Sequence, residues 1–123
     1  MSTAKSYPDV ITLHRLVPPH ETVEITKCVP SLFQAETFVL DGFCASETAV
    51  ERIEFRHDPT LPKSVHSGDP VESLLDVKVL DAAYSVPTRS VLAFPASTLA
   101  AVVRNKTDRP VPVTISVIGK TLL

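Results

Sequence analysis

Val111-Pro112-Val113-Thr114-Ile115-Ser116-Val117 is the stretch that decides the fold. Successive side chains of a β-strand point to opposite faces, so its apolar residues Val111, Val113, Ile115 and Val117 share one side. Thr114 and Ser116 take the other. Pro112 has no N–H to give a ladder, so it must face outward or mark the strand's entry. The same period of two recurs upstream. Leu75, Val77 and Val79 alternate with Asp76 and Lys78, Ile53 and Phe55 with Arg52, Glu54 and Arg56, and Val23 and Ile25 with Glu24 and Thr26. Each run implies a strand with one face on a core and one toward water or a neighbouring subunit. Phe38-Val39-Leu40 and Leu99 to Val103 are continuously apolar, which suggests strands covered on both sides.

Proline rather than glycine punctuates these runs, with 11 Pro against 3 Gly. Pro18-Pro19, Pro30, Pro59, Pro62, Pro70, Pro87, Pro95 and Pro110 therefore mark strand ends or edges. Strands are expected at 9–16, 22–28, 35–41, 50–56, 74–80, 91–94, 97–104 and 112–121. Only Glu47 to Glu51 or the stretch near Ser97 leaves room for a short helical turn. Residues 97–121 read as a hairpin whose polar turn runs from Asn105 to Pro110. Residues 57–73 lack periodicity and read as an exposed loop. Eight short strands at this spacing predict an all-β fold, an antiparallel two-sheet β-sandwich of jelly-roll-like or immunoglobulin-like kind, with an open-ended barrel as the alternative. The expected organisation is a flexible N-terminal arm at 1–8 and a single domain at 9–123.

A chain of 123 residues holds one modest core, and 44% hydrophobic with 21% charged residues is the balance of a folded globular protein. A net charge of −2 offers no basic excess for a phosphate backbone, so direct nucleic-acid binding is not expected. No apolar run reaches the roughly 18 residues that span a bilayer, and no membrane partner is expected. Met1 to Ser6 lacks the apolar stretch of a signal peptide, which places synthesis in the cytoplasm of the host cell. Cys28 and Cys44 are too few for a disulfide framework and read as buried free thiols, a bond between them staying open.

No catalytic constellation stands out, and neither a cofactor nor a resident metal is expected. His14, His20, His57 and His66 lack metal-ligand spacing. His57-Asp58 with His66 and Asp69 could hold a divalent ion if their loop folded back, but a solvated polar loop is the simpler reading. There is no Gly-x-Ser-x-Gly elbow, and Gly42, Gly68 and Gly119 are isolated, which excludes a phosphate-cradling loop. Histidine spacing also argues against a cupin-like metalloenzyme. Sugar-stacking aromatics are scarce: there is no Trp, Tyr7 and Tyr84 are the tyrosines, and Phe33, Phe38, Phe43, Phe55 and Phe94 fit a core. Asn105-Lys106-Thr107 matches a glycosylation sequon but reads as a turn. At the C-terminus Leu122-Leu123 is an apolar pair that favours burial, in an oligomer or in its own sheet.

Three segments together carry a resemblance. Pro30-Ser31-Leu32-Phe33-Gln34-Ala35-Glu36 runs into Phe38-Val39-Leu40-Asp41, Val50 to Phe55 follows as a strand, and Val102 to Thr107 with Val113 to Gly119 closes the chain. This pattern resembles small virion structural proteins of tailed bacteriophages, of the capsid-decoration kind. The 57–73 loop is longer and richer in His and Pro than that pattern. The resemblance implies a non-enzymatic protein of the virion that binds the major capsid protein or another virion protein, commonly as a homotrimer. The arm and the long loop would face the capsid, making Tyr7, Pro8, His57, Asp58, His66 and Asp69 candidate partner-binding residues, with Leu122 and Leu123 added for their apolar character. The alternative is a ligand- or carbohydrate-binding or adhesion sandwich.

Overall fold

The computed structural model describes residues 5–40, 47–57, 71–75, 85–89 and 91–122. They form nine strands: β1 (Ser6–Val17), β2 (Thr22–Cys28), β3 (Phe33–Leu40), β4 (Thr48–Arg56), β5 (Val71–Ser73), β6 (Ser85–Pro87), β7 (Leu92–Ala93), β8 (Thr98–Asn105) and β9 (Val111–Leu122). Sheet A has the order β1-β9-β3-β6, with β7 also paired to β3, and sheet B has the order β2-β8-β4-β5. All pairings are antiparallel. The two-sheet sandwich expected from the alternation is therefore the fold. Among the described residues there is no helix; Glu47 to Glu51, considered for a helical turn, leads into β4 and belongs mostly to it.

The core is the inward parity of both sheets. Ile11, Leu13, Val113, Ile115 and Val117 from sheet A face Val23, Ile25, Leu99, Ala101 and Val103 from sheet B, all buried. Phe33 and Phe55 meet edge to face across the two sheets, with ring centroids 6.3 Å apart. In β3 the inward parity slips from Phe33 and Ala35 to Phe38 and Leu40, and in β4 from Val50 to Ile53 and Phe55. Each slip coincides with a register shift, between Ala35 and Thr37 and between Val50 and Arg52. One extra residue, Glu36 or Glu51, is bulged out, and the strand can then keep feeding the core.

Residues 97–121 do not form the expected hairpin. β8 lies in sheet B between β2 and β4, and β9 lies in sheet A between β1 and β3, so neither has an open edge for the other. The polar segment between them crosses from one sheet to the other, alongside the β1–β2 connection, which crosses the opposite way. Asn105 ties the two crossings. Its Nδ2 lies 3.1, 3.3 and 2.7 Å from the carbonyl oxygens of Val17, Pro18 and Arg109. Its Oδ1 accepts from the Thr107 N–H and hydroxyl. The backbone completes the tie, with His20 N–H donating to Thr107 O and Asn105 N–H to Glu21 O. Buried and fully engaged, Asn105 has no amide free for the glycan its sequon would suggest.

The tight turns explain how so few glycines suffice. In Pro18-Pro19-His20-Glu21 and Phe94-Pro95-Ala96-Ser97, the fourth N–H donates to the first carbonyl, and the third residue has positive φ, 57° at His20 and 72° at Ala96. These are the marks of type II turns, with proline presetting the second position.

Elsewhere the structure corrects the expected boundaries. β1 begins at Ser6, so Tyr7 and Pro8 are paired strand residues opposite Thr121 and Lys120 rather than a flexible arm. Within the expected 57–73 loop, His57 is buried and Val71–Ser73 form β5. The inward alternation of Ile53 and Phe55 simply continues one step to His57, whose Nδ1 lies 3.2 Å from the buried Ser97 hydroxyl. Leu74 and Leu75, expected to open a strand at 74–80, lie in a bend stabilised by Ser73 Oγ donating to Leu75 O, and both enter the core. Residues 76–80 lie outside the described residues. Cys28 is exposed at the end of β2, not buried, because it falls on the outward parity; Cys44 and Phe43 lie outside the described residues.

Two substitutions test this account. A Cβ on Gly119 in central strand β9 would overlap the carbonyl oxygen of Gln34 and come within 2.9 Å of the Phe33 ring. Gly119→Ala is expected to lose about 3 kcal/mol in urea denaturation, the upper end of ordinary overpacking because a backbone atom must yield. Asn105→Ala strips partners from both crossings and is expected to cost about 3 kcal/mol by the same measurement.

Candidate functional site

The outward parities of the two sheets differ sharply in chemistry. On sheet B, Val102 of β8 lies between Glu24 of β2 and Arg52 of β4, and Ala100 lies opposite Glu54. These small and medium side chains let long charged ones lie flat across the strands. Arg56 grips Glu24 with both terminal nitrogens, at 2.9 and 2.7 Å, while its Nε donates to Glu54 at 2.9 Å. Arg52 Nε completes the set at 3.3 Å from Glu54. Arg104 pairs with Glu51 at 3.4 Å, and Arg109 with Glu47 near the sheet crossing. The Arg56 hydrogen bonds hold the Glu24 carboxyl below its ordinary range, and Glu24 and Glu54 in turn bind the Arg56 proton more tightly. Among the described residues the layer is self-satisfied, so these side chains offer little unpaired charge to a ligand.

Sheet A carries apolar side chains outside as well as inside. Val10 is 49% exposed, Leu16 59% and Ile118 41%, and all three lie on the outward parity of β1 and β9. Val10 is paired with Ile118, and Leu16 with Pro112. Between these pairs lie Thr12 beside Ser116 and His14 beside Thr114, the latter joined by a 2.8 Å hydrogen bond. Around Val10 and Ile118 the surface dips into a shallow groove of about 440 Å³, lined by Pro8, Asp9, Val10, Val39, Ser116 and Ile118. Asp9 at its rim is occupied: Thr121 Oγ1 donates to Oδ2 at 2.6 Å and the Val10 N–H to Oδ1 at 2.8 Å. Those bonds lower its pKa, the threonine contributing most.

The open edge of β1 is partly blocked. Pro8 has no N–H, the Val10 N–H is taken by Asp9, and Lys27 Nζ reaches the Thr12 carbonyl at 3.3 Å. Arg15 returns the favour to the edge of β2, donating to Glu24 O at 3.0 Å. Lysine, proline and self-bonded amides at an edge oppose strand addition. On the β1 side, the face rather than the edge is what sheet A presents.

The residues singled out from sequence are scattered. Tyr7 is exposed on β1, Pro8 lines the groove, and Leu122 is half-buried at the end of β9. His57 points into the core, away from any surface, and Asp58, His66, Asp69 and Leu123 lie outside the described residues. Among the described residues no three His, Cys, Asp or Glu side chains gather as metal ligands. Val10, Leu16 and Ile118 escaped the sequence reading, although the neighbouring apolar pairs Val10-Ile11, Leu16-Val17 and Val117-Ile118 signal strands apolar on both faces. No protein-family model, curated protein or solved structure matches the chain.

The ionic layer makes a pH prediction. Glu24 has a folded pKa lowered from its ordinary value near 4.5, so its contribution is complete above that pH and is lost as pH falls through the folded value. Glu24→Gln is expected to cost about 0.5 kcal/mol at pH 7, as half-exposed pairs do. The gap from the parent protein should stay level between pH 7 and 5 and close at lower pH, read from urea midpoints across the series.

Proposed function

We propose that this chain is a non-enzymatic assembly module, a building block of a virion that stabilises a capsid by adding contact area. The observation that supports this reading best is the division of labour between the faces. Sheet B closes its charges on one another, while sheet A leaves Val10, Leu16 and Ile118 in water. Exposed apolar area at this density favours docking to a protein surface. The sequence resemblance to tailed-phage decoration proteins supplies the setting, with the major capsid protein or another virion protein as partner. A small-ligand site draws less support, since recognition in a pocket relies on convergent polar groups and Asp9 at the groove is already engaged.

Purified chain is expected to co-sediment with tailed-phage heads assembled without it, to saturate at a fixed copy number, and to raise the temperature at which they release DNA. Heads that neither retain the chain nor gain heat resistance would overturn the capsid role.

A further inference from the structure

Beyond that reading, and independently of it, we infer that the free edge of β2 is a docking site for an extended acidic peptide, which adds to sheet B as a further strand. The ladder shows which backbone groups are open to it. At the two ends of β2, Glu21 O accepts from Asn105 N–H and Val29 N–H donates to Ser97 O, and the register between them is unbroken. Backbone groups alternate sides along a strand, so the odd residues serve β8 while Thr22, Glu24, Thr26 and Cys28 point theirs to the open side. β2 has no strand on that side, and all four residues are exposed. Among the described residues, the one partner these groups have is Arg15, which donates to Glu24 O at 3.0 Å. The run holds no proline and no bulge, in contrast to the β1 edge with Pro8 and its self-bonded amide.

Charge selects the occupant. Arg15 and Lys27 are exposed on the inward parity of β1 and β2, at the open side of the sandwich. Each bonds a backbone carbonyl of the facing strand, Glu24 O and Thr12 O respectively. Neither has a carboxylate partner among the described residues, whereas Arg52, Arg56, Arg104, Arg109 and Lys120 all do. A strand laid on β2 sets the side chains opposite Val23, Ile25 and Lys27 on this same parity, beside both cations. Acidic side chains there turn two carbonyl-bound cations into ion pairs, which are the stronger hydrogen bonds. The incoming N–H takes the Glu24 carbonyl, and Arg15, released from it, grips the incoming carboxylate. The remaining side chains of the peptide lie on the outer face beside Thr22, Glu24 and Thr26. Glu24 is already held there by Arg56, and β-branched residues suit the flanking threonines. Main-chain bonds thus supply affinity and the alternate side chains specificity. A second copy of β2 is the poorer occupant, because its inward residues Val23, Ile25 and Lys27 bring another cation to this side and no acid.

Titration of the full chain with the capped peptide Thr-Glu-Val-Glu-Val-Glu-Thr, matched to the seven residues of β2, tests this by amide NMR and hydrogen exchange. The peptide is expected to shift the β2 resonances and to slow exchange at the Thr22, Glu24, Thr26 and Cys28 amides. The same peptide with lysine for glutamate should not bind, although a net charge of −2 on the chain would draw it in by nonspecific attraction. N-methylation of the two valines, whose N–H groups face β2, should abolish binding, while N-methylation of the glutamates should leave it. Arg15→Glu combined with Lys27→Glu should weaken the glutamate peptide by about tenfold or more and admit the lysine peptide. Circular dichroism of that variant separates loss of fold from loss of contact, and the peptide comparisons need no variant at all. Unprotected Thr22 and Thr26 amides at millimolar peptide, equal binding of the lysine peptide, or equal effects of the two N-methylation patterns would each overturn the proposal. No phage head enters the titration, so its outcome is separate from that of the capsid role.

Discussion

Everything in this sandwich depends on how the chain gets from one sheet to the other, and the side chain of Asn105 governs that passage. A crossing leaves backbone carbonyls at the end of the core without ladder partners, and burying them unpaired would cost more than a typical hydrogen bond returns. One carboxamide supplies donors to Val17, Pro18 and Arg109 and an acceptor to Thr107. Both crossings are thereby held at a fixed spacing, and with them the separation of β1 from β2 and of β8 from β9. The core residues that interdigitate between the sheets need that spacing to pack.

The same alternation that builds the core decides what each sheet shows to its surroundings. On sheet B the outward positions hold acids and arginines whose geometry satisfies them internally. On sheet A, between Val10 and Leu16, they hold valine, leucine, isoleucine, proline, hydroxyls and the hydrogen-bonded His14. Under the assembly role proposed above, sheet A needs no concave site, because contact area and register supply the recognition. The blocked edge of β1 complements this, since contact through the face is safe only when the edge does not recruit strands indiscriminately.

How much of this was legible in the sequence follows from what alternation can and cannot encode. β9 alternates in burial along its whole length and β2 as far as Ile25, and the expected bounds of both lie within a residue of the observed ones. β3 and β4 were legible as strands although each slips phase, at Glu36 and Glu51, because apolar residues resume on the new parity. Strand pairing was not legible. The run from Thr98 to Leu122 has the pattern of a hairpin, and nothing in it reveals that both strands are already flanked. His57 was misplaced for a related reason: its polar neighbours in sequence suggested solvent, whereas the backbone parity set by Ile53 and Phe55 turned it inward. Val10 and Leu16 sit in a strand with apolar residues on both parities, a signal that names two faces without saying which one stays open.

Sheet A also sets a timetable. Its first strand pairs with its last, Ser6 lying opposite Leu122, and β2 likewise awaits β8. On the ribosome, β1 and β2 therefore emerge long before the strands that complete their sheets. Sheet B can pair once β8 has emerged, but β1 stays unpaired until β9 clears the exit tunnel. In that interval β1 exposes apolar side chains and an unpaired edge, the surface on which incomplete sheets aggregate.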